Sequence, residues 1–145
     1  MFDVSIYTDG SCLKNPGVGG WAYVLKYEDK QKVGSGAVEY TTNNRMELLS
    51  VIMAIRSLKK PCSITLYSDS NLVVRTINEW IYGWEKKGFK DKKNVDLLKE
   101  YLELIKPHKI KAIWVKAHNG DELNELCDTL ARNEALKLQE RLKNV

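Results

Sequence analysis

The order in which strand-like and helix-like segments follow one another constrains this chain more than any other feature. Three segments of alternating or β-branched residues come first, and from residue 43 onward helical spacing alternates with single strands. Strands joined by short turns are antiparallel, whereas strands joined by helical crossovers are parallel. The pattern therefore predicts an α/β fold: a five-stranded mixed sheet, with three antiparallel N-terminal strands and then parallel strands, flanked by helices.

Periodicity, turn residues and prolines set the predicted bounds of these elements. The predicted strands are residues 2–9, 21–29, 31–40, 63–69 and 109–117. The predicted helices are residues 43–60, then 70–80 continuing toward 87, then 93–106, and finally 121–143 with Asp121 as a capping residue. The 145 residues contain no linker or internal repeat, so we expect a single domain over residues 1–145.

Composition excludes several classes of protein. The three cysteines are scattered without a C-x-x-C pair, which argues against a zinc site or a disulfide framework. The longest apolar run, LLSVIMAI, is too short to span a bilayer, and the N-terminus lacks the pattern of a signal peptide. The stretch GVGGWA fits a dinucleotide-binding pattern but precedes a strand, which excludes that site. We expect a cytoplasmic monomer with no membrane contact and no obligate protein partner.

Two aspartates follow directly on predicted core strands. Asp9 ends the first strand and Asp69 ends the fourth, at the edge where open α/β sheets gather their chemistry. Each has an ordinary alternative explanation, because Asp-Gly is a common turn and aspartate is a common helix cap. Taken singly, these residues leave both interpretations open.

Glu47 heads an apolar column of the first predicted helix. Its neighbours at helical spacing are Val51, Ala54 and Leu58, so the side chain is predicted to point inward. A buried carboxylate without a partner takes up a proton unless a cation compensates its charge. The alternative is a capping-box glutamate serving Asn43 or Asn44.

Asp128 borders the core face of the C-terminal helix. That face is predicted from Leu123, Leu126, Cys127, Leu130, Leu138 and Leu142, and Asp128 aligns with Asn124, Ala131 and Ala135. The alternative is a half-exposed helix charge. Four converging carboxylates persist together around hard cations, and oxygen ligands suit Mg²⁺ or Mn²⁺. Two such ions can promote displacement at a phosphodiester.

The motifs that contain these carboxylates resemble the bacterial type 1 ribonucleases H. The matching segments cover nearly the whole chain and are TDGSCLKNPGVGGW, TTNNRMELLSVIMAI, LYSDSNLVV, INEWIYGWEKKGFK, KNVDLL and VKAHNGDELNELCDTLA. The resemblance implies a metal-dependent endonuclease that hydrolyses the RNA strand of RNA–DNA hybrids and leaves 5′-phosphate and 3′-hydroxyl ends. It implies Mg²⁺ as cofactor, with Mn²⁺ as a possible substitute.

The resemblance also assigns roles to individual residues. It places the catalytic, metal-binding carboxylates at Asp9, Glu47, Asp69 and Asp128. It gives His118 a part in proton transfer or product departure, which a neutral-range pKa allows. It places Glu125 near a second metal ion.

A basic segment with interspersed aromatic residues is the second functional signal. Five lysines fall within KKGFKDKK, close to Trp80 and Trp84, a composition that suits a sugar–phosphate backbone. The alternative is a solvated loop with tryptophans packed in the core, and we expect one of the two to pack inward. By resemblance this segment, with Lys86 and Lys87, grips the DNA strand, although it is shorter here than in well-known members.

Five further polar residues match family positions that contact the hybrid's minor groove or a DNA phosphate: Asn15, Thr42, Asn43, Asn44 and Asn71. Contacts with 2′-hydroxyls distinguish RNA from DNA, and recognition through backbone and shape carries little base specificity. Asn43 and Asn44 have the alternative role of helix caps. Two other functions remain as alternatives: a hybrid-binding module without catalysis, and a DNA-directed nuclease on the same fold.

Overall fold

The computed structural model of the protein describes residues 1–117 and 121–145. Five strands form one sheet: β1 (Phe2–Cys12), β2 (Gly17–Tyr27), β3 (Lys30–Thr41), β4 (Cys62–Ser68) and β5 (Lys109–Trp114). Their order is β3-β2-β1-β4-β5, with β1, β2 and β3 antiparallel and β4 parallel to both β1 and β5. The predicted mixed sheet is confirmed, including the change from antiparallel to parallel pairing after β3.

Helices alternate with the later strands, as the sequence pattern predicted, and a last helix follows β5. They are α1 (Asn43–Arg56), α2 (Asn71–Arg75), α3 (Ile81–Lys86), α4 (Val95–Ile105) and α5 (Glu122–Lys143). A π-helical turn over Thr76–Trp80 joins α2 directly to α3. Asp121 caps α5 as predicted, since its carboxylate accepts from the backbone N–H groups of Leu123 and Asn124, both at 3.1 Å.

Several predicted bounds were wrong, and local contacts explain the differences. β1 continues through Asp9 to Cys12, because β2 pairs with it up to Cys12 whereas pairing with β4 stops at Tyr7. α1 ends at Arg56 and not at residue 60. Just after Arg56, the Ser57 hydroxyl donates to the Ala54 carbonyl at 2.6 Å. β5 ends at Trp114, where its partner strand β4 ends at Ser68.

Two layers of helices cover the sheet and bury its two faces. On one face, Tyr23 and Leu25 of β2 pack into a large core with α1, α4 and the α2–α3 segment. On the other face, Ala22 and Val24 pack against Cys127 and Ala131 of α5. The alternation along β2 is what a strand buried on both faces requires.

The buried face of α5 agrees with the predicted face in its first half, where Cys127 is buried and Leu123, Leu126 and Leu130 pack against the same cluster, and differs from it at Leu142. Its fully buried residues are Cys127, Ala131 and Ala135, whereas Leu142 is exposed. α5 lies close to β2, because a Cβ at Gly20 would overlap the Ala131 carbonyl oxygen. The small residues aligned with Asp128 therefore form the contact surface, as the spacing of Asp128 with the alanines suggested.

The cysteines and the helices bear on two further expectations. Cys12, Cys62 and Cys127 are all free thiols. Within residues 1–117 and 121–145, no helix combines the length and apolar character needed to cross a bilayer. Cytoplasmic location remains a prediction.

Candidate active site

Asp9 lies on β1 just beyond the last residue that β1 pairs with β4. It is 6% exposed, although the strand around it is bordered by an open cleft. The backbone N–H of Gly10 donates to Asp9 Oδ1 at 2.9 Å and also to Glu47 Oε1. The Asp-Gly turn considered from the sequence is absent at this point of the described chain, since both residues lie within β1.

Glu47 enters the site from the first turns of α1 and is 4% exposed, so the predicted inward orientation is confirmed. The helix is capped by the Thr42 hydroxyl, which accepts from the Arg45 N–H at 3.3 Å. The capping roles considered for Glu47, Asn43 and Asn44 were therefore wrong. α1 rests directly on β1, because a Cβ at Gly10 would overlap the backbone of Glu47.

Asp69 is the first residue after β4. The cap of α2 is its neighbour Ser70, whose hydroxyl accepts from the Val73 N–H at 3.2 Å. The indole N–H of Trp114 donates to the Asp69 backbone carbonyl at 3.2 Å and ties this turn to the end of β5. The capping interpretation of Asp69 was therefore wrong, and its carboxylate lies beside those of Asp9 and Glu47.

The three carboxylates form a group that suits a divalent cation. One oxygen from each of Asp9, Glu47 and Asp69 lies within 4.8 Å of the other two. This spacing is about twice a metal–oxygen distance of roughly 2.1–2.5 Å. Three anionic oxygens at this separation, two of them on buried side chains, repel one another strongly unless a cation or a proton lies among them.

Asp128 of α5 lines the same cleft from the opposite layer, together with Asn43 and the three clustered carboxylates. It is half-buried, and its carboxylate lies 3.6 Å from the Arg132 guanidinium. Among the described residues it is not within the 4.8 Å group. The structure therefore brings all four predicted carboxylates to one cleft, three of them in close contact and Asp128 further away.

Burial and mutual repulsion shift the acidities of this group. Burial raises the pKa of Asp9 to about 7, and the charges of Asp69 and Asp128 contribute in the same direction. The pKa of Glu47 is raised well above its ordinary value, first by burial and then by its hydrogen bond with Asp9. The pair therefore takes up a proton more readily than ordinary carboxylates do, and a bound divalent ion would replace that proton.

Comparison with known proteins gives a consistent result. The chain matches the RNase H family over residues 2–136. It is 62% identical over 138 residues to ribonuclease H of Campylobacter jejuni subsp. jejuni serotype O:23/36 (strain 81-176), covering 95% of this chain and 94% of that protein. It is 55% identical over 137 residues to ribonuclease HI of Helicobacter pylori (strain ATCC 700392 / 26695), covering 94% and 96%. The chain belongs to the RNase H family.

Solved structures agree with the assignment. LC9-RNase H1, a type 1 RNase H with the type 2 active-site motif, superposes with a TM-score of 0.84 at 29% identity, covering 92% of this chain and 72% of that chain. LC11-RNase H1, solved in complex with an RNA/DNA hybrid, shares the fold with a TM-score of 0.75 at 21% identity, covering 94% and 99%. The protein is accordingly a bacterial type 1 RNase H, a nuclease of the hydrolase class.

Three of the predicted substrate-binding residues of this RNase H meet at the start of α1. The Asn43 N–H donates to Asn15 Oδ1 at 3.2 Å, and Thr42 caps the helix next to them. Asn43 lines the carboxylate cleft, whereas Asn44 lines a second cleft that contains Trp84. Asn71 is exposed at the first position of α2, one residue after Ser70. The start of α1 thus lies between the two clefts.

The predicted basic segment of this RNase H has a different arrangement from a loose solvated loop. The indoles of Trp80 and Trp84 stack with centroids 5.6 Å apart, and both are half-buried. Trp84 packs against the main core, as predicted for one of the two. Lys86 ends α3, and Lys87 follows it as an exposed residue.

His118 lies outside the described residues, so its predicted role remains a prediction. Glu125 is exposed on α5 and lines a small cleft with Asp69 and Asp128, which adjoins the carboxylate cleft. Its predicted position near a second metal ion also remains a prediction.

The sequence interpretation missed several residues that shape the site. Ser11, Cys12 and Ser70 line the carboxylate cleft. The Gly10 N–H binds two of its carboxylates. A glycine directly after Asp9 was a usable signal, because a close approach of helix and strand needs a residue without a Cβ.

Proposed function

We propose that this RNase H is an endonuclease that hydrolyses the RNA strand of RNA–DNA hybrids with two divalent ions, giving 5′-phosphate and 3′-hydroxyl ends. The supporting observation is the close group of Asp9, Glu47 and Asp69 on the family's fold, with Asp128 in the same cleft. Mg²⁺ is the proposed cofactor and Mn²⁺ the substitute, because the donors are carboxylate oxygens.

The residues present fit such ions. Two of the clustered carboxylates are buried with raised pKa values, so near neutral pH the group takes up either protons or a cation. Asp9, Glu47 and Asp69 would hold one ion, and Asp9 with Asp128 would share the second. When bound, such ions supply an activated water nucleophile and stabilise charge on the phosphate and on the leaving 3′ oxygen.

The chain's own contribution is to hold these groups in place before substrate arrives. The Gly10 N–H orients the carboxylates of Asp9 and Glu47 together. The Trp114 indole N–H donates to the backbone carbonyl of Asp69 and so holds this residue at the C-terminal end of β4. Positioning of this kind lowers the cost of reorganisation during the reaction. We further propose that His118 moves a proton or assists product departure, and that Glu125 acts beside Asp128.

Hybrid recognition is proposed to use both clefts. Asn15, Thr42, Asn43, Asn44 and Asn71 would contact the minor groove or a phosphate, and Trp80, Trp84, Lys86 and Lys87 the DNA strand. Asn43 lines the carboxylate cleft and its N–H donates to Asn15 Oδ1, which supports this arrangement. LC11-RNase H1, which has the same fold, was solved with an RNA/DNA hybrid bound, and we propose the same class of ligand here. We propose recognition without base specificity, by a monomer in the cytoplasm with no obligate protein partner.

A panel of end-labelled substrates tests the proposal. We expect cleavage of RNA in an RNA–DNA hybrid, with 5′-phosphate ends, only when Mg²⁺ or Mn²⁺ is present. Duplex RNA and duplex DNA of the same sequence are the controls. Binding of hybrid without cleavage would indicate a recognition module instead, and cleavage of duplex DNA would indicate a DNA-directed nuclease.

A further inference from the structure

Two cations and two indoles lie against one another beside the second cleft. The Arg75 guanidinium carbon is 4.5 Å from the centroid of the Trp80 ring, and Trp80 stacks on Trp84. The Lys92 ammonium is 4.6 Å from the centroid of the Trp84 ring. We call these four residues the cation–indole stack. In this stack a cationic side chain lies over one face of each indole ring.

The stack is fastened to the sheet by one side chain of the π-helical turn. The Asn78 amide donates to the Ala112 carbonyl at 2.8 Å and accepts from the Ala112 N–H at 2.9 Å. Ala112 belongs to β5, the edge strand of the sheet, so Asn78 pairs with that edge as a further strand would. The turn that carries Arg75 and Trp80 at its two ends is therefore held at a fixed place on the sheet.

We infer that Arg75 is a further binding residue for the nucleic-acid backbone, where its guanidinium contacts a phosphate of the bound hybrid. The inference rests on the proposed function and adds to it a residue outside the basic segment. A guanidinium matches phosphate oxygens through paired N–H donors, and stacking on an indole fixes its plane in advance. The Arg75 side chain is 46% exposed, so it is accessible to such a ligand.

The ion pair of Arg75 with Glu79 does not compete strongly with this role. It joins Arg75 Nε to a Glu79 oxygen at 3.1 Å, and both side chains are about half exposed. Exposed pairs of this kind contribute little, and Nε–H is one of the five N–H donors of a guanidinium. Glu79 nevertheless places a negative charge beside the proposed phosphate position, so its removal is expected to strengthen binding.

Hybrid binding as a function of salt concentration tests the inference. Fluorescence anisotropy would measure Kd for a labelled hybrid between 50 and 200 mM KCl, in an Asp9→Asn background that prevents turnover. We expect Arg75→Gln to weaken binding several-fold and to reduce the slope of log K against log salt by roughly 0.7–0.9. Arg75→Lys should keep most of the slope while losing part of the affinity. Glu79→Gln should tighten binding about twofold or more.

Arg56→Gln is the matched control, because Arg56 is 51% exposed and pairs with Glu100 at the far end of α1. Equal slopes and affinities for Arg75→Gln and Arg56→Gln would overturn the inference. A several-fold loss of affinity in Arg75→Gln without any change in the slope of log K against log salt would also overturn it, because that result would indicate a structural role alone. Cleavage of hybrid by the otherwise unmodified protein is measured in parallel, so that failure of the proposed function is seen separately.

Discussion

The carboxylate cluster and the cation–indole stack differ in the sign of their charges and in how those charges are arranged. The cluster holds negative charges close together, and the stack holds positive charges apart. The cluster gathers like charges from β1, α1 and the end of β4, and buries two of them. Backbone donors and a close helix–strand contact hold it together. The stack spreads positive charges over one continuous helical segment and the loop after it, and leaves Arg75 half exposed. Indole faces and one amide clamp hold it in place.

This difference determines how each region responds to change. A cluster of carboxylates that share one cation depends on each member, so losing one ligand weakens binding of the ion. A surface that binds phosphates through several exposed cations loses affinity in steps, one contact at a time. Substitutions in the cluster should therefore act on turnover as a unit, whereas substitutions in the basic surface should act on affinity by degrees.

Asp9→Asn gives the largest expected effect. It keeps the shape of the side chain but removes a charge shared by both proposed ions. We expect turnover of hybrid to fall on the order of a thousandfold or more, beyond the 10–100-fold typical of losing an outer-shell partner. Hybrid affinity should stay within a fewfold of the unmodified protein. Asp3→Asn is the control, since Asp3 is exposed on the same strand. Near-normal turnover by Asp9→Asn would contradict the assignment of the site.

Gly10→Ala tests whether the cluster depends on the close contact of α1 with β1. The added methyl overlaps the backbone of Met46 and Glu47, so we expect α1 to shift. Misplacement by about 1 Å costs on the order of a hundredfold in turnover, and overpacking about 1–3 kcal/mol in stability. Single-turnover cleavage and urea unfolding measure the two effects.

Gly83→Ala is the matched control for Gly10→Ala, because a Cβ at Gly83 meets nothing within 4 Å. Gly83 lies within α3, where alanine is the better helix former. We expect unchanged turnover and slightly higher stability for this variant. Equal losses of turnover and stability in Gly10→Ala and Gly83→Ala would contradict the inference that the region of the carboxylate cluster tolerates an added methyl group less well than α3 does.

The sequence was a good guide to this architecture and to the convergence of the four carboxylates on one cleft, and their catalytic and metal-binding roles stay predictions. The change from strand periodicity to alternating helices and strands predicted the mixed sheet. The apolar column below Glu47 predicted its inward orientation, which the 4% exposure confirms. Such patterns are readable because they depend on local periodicity, and periodicity reflects which face of an element is buried.

Other features could not be predicted because they depend on contacts between distant segments. The continuation of β1 beyond Asp9 follows from pairing with β2, which no local signal near Asp9 reports. The helix cap at Ser70 was indistinguishable from one at Asp69, since both residues are common caps. The placement of Arg75 over Trp80 depends on a π-helical turn, and helical spacing alone would not place these rings and cations together.

Stability of the metal-free protein should depend on pH through the cluster. The pKa of Asp9 is about 7 in the folded chain against an ordinary value of 3.8, so the folded state binds more protons across this range. The contribution of Asp9 to the free energy of unfolding is therefore largest near pH 3.8 and falls as the pH rises toward 7. We expect a loss on the order of 2–4 kcal/mol, which Asp9→Asn reduces because the asparagine amide does not titrate.

Urea unfolding in EDTA at pH 5 and pH 7.5 measures this dependence, with Asp3→Asn as the control that keeps the slope. Addition of Mg²⁺ should restore stability mainly at pH 7.5, where the cluster is ionised and the ion replaces the lost proton. The expectation fails if the metal-free protein is equally stable at both pH values and does not differ from Asp9→Asn. That result would mean that the carboxylates do not repel one another measurably in the folded state.

The basic surface should give the smallest and most graded response. Lys86→Gln and Lys87→Gln each remove one exposed cation next to the stack. We expect the double variant to weaken hybrid binding about tenfold at moderate salt and each single variant less, because each lysine neutralises at most one phosphate. The expected signature is a raised KM with kcat within about twofold, since a uniform loss of binding leaves the barrier from the bound state unchanged. Lys137→Gln on α5 is the control. A fall in kcat at saturating hybrid would show that these lysines also position the RNA strand over the carboxylates, and the two regions would then act as one.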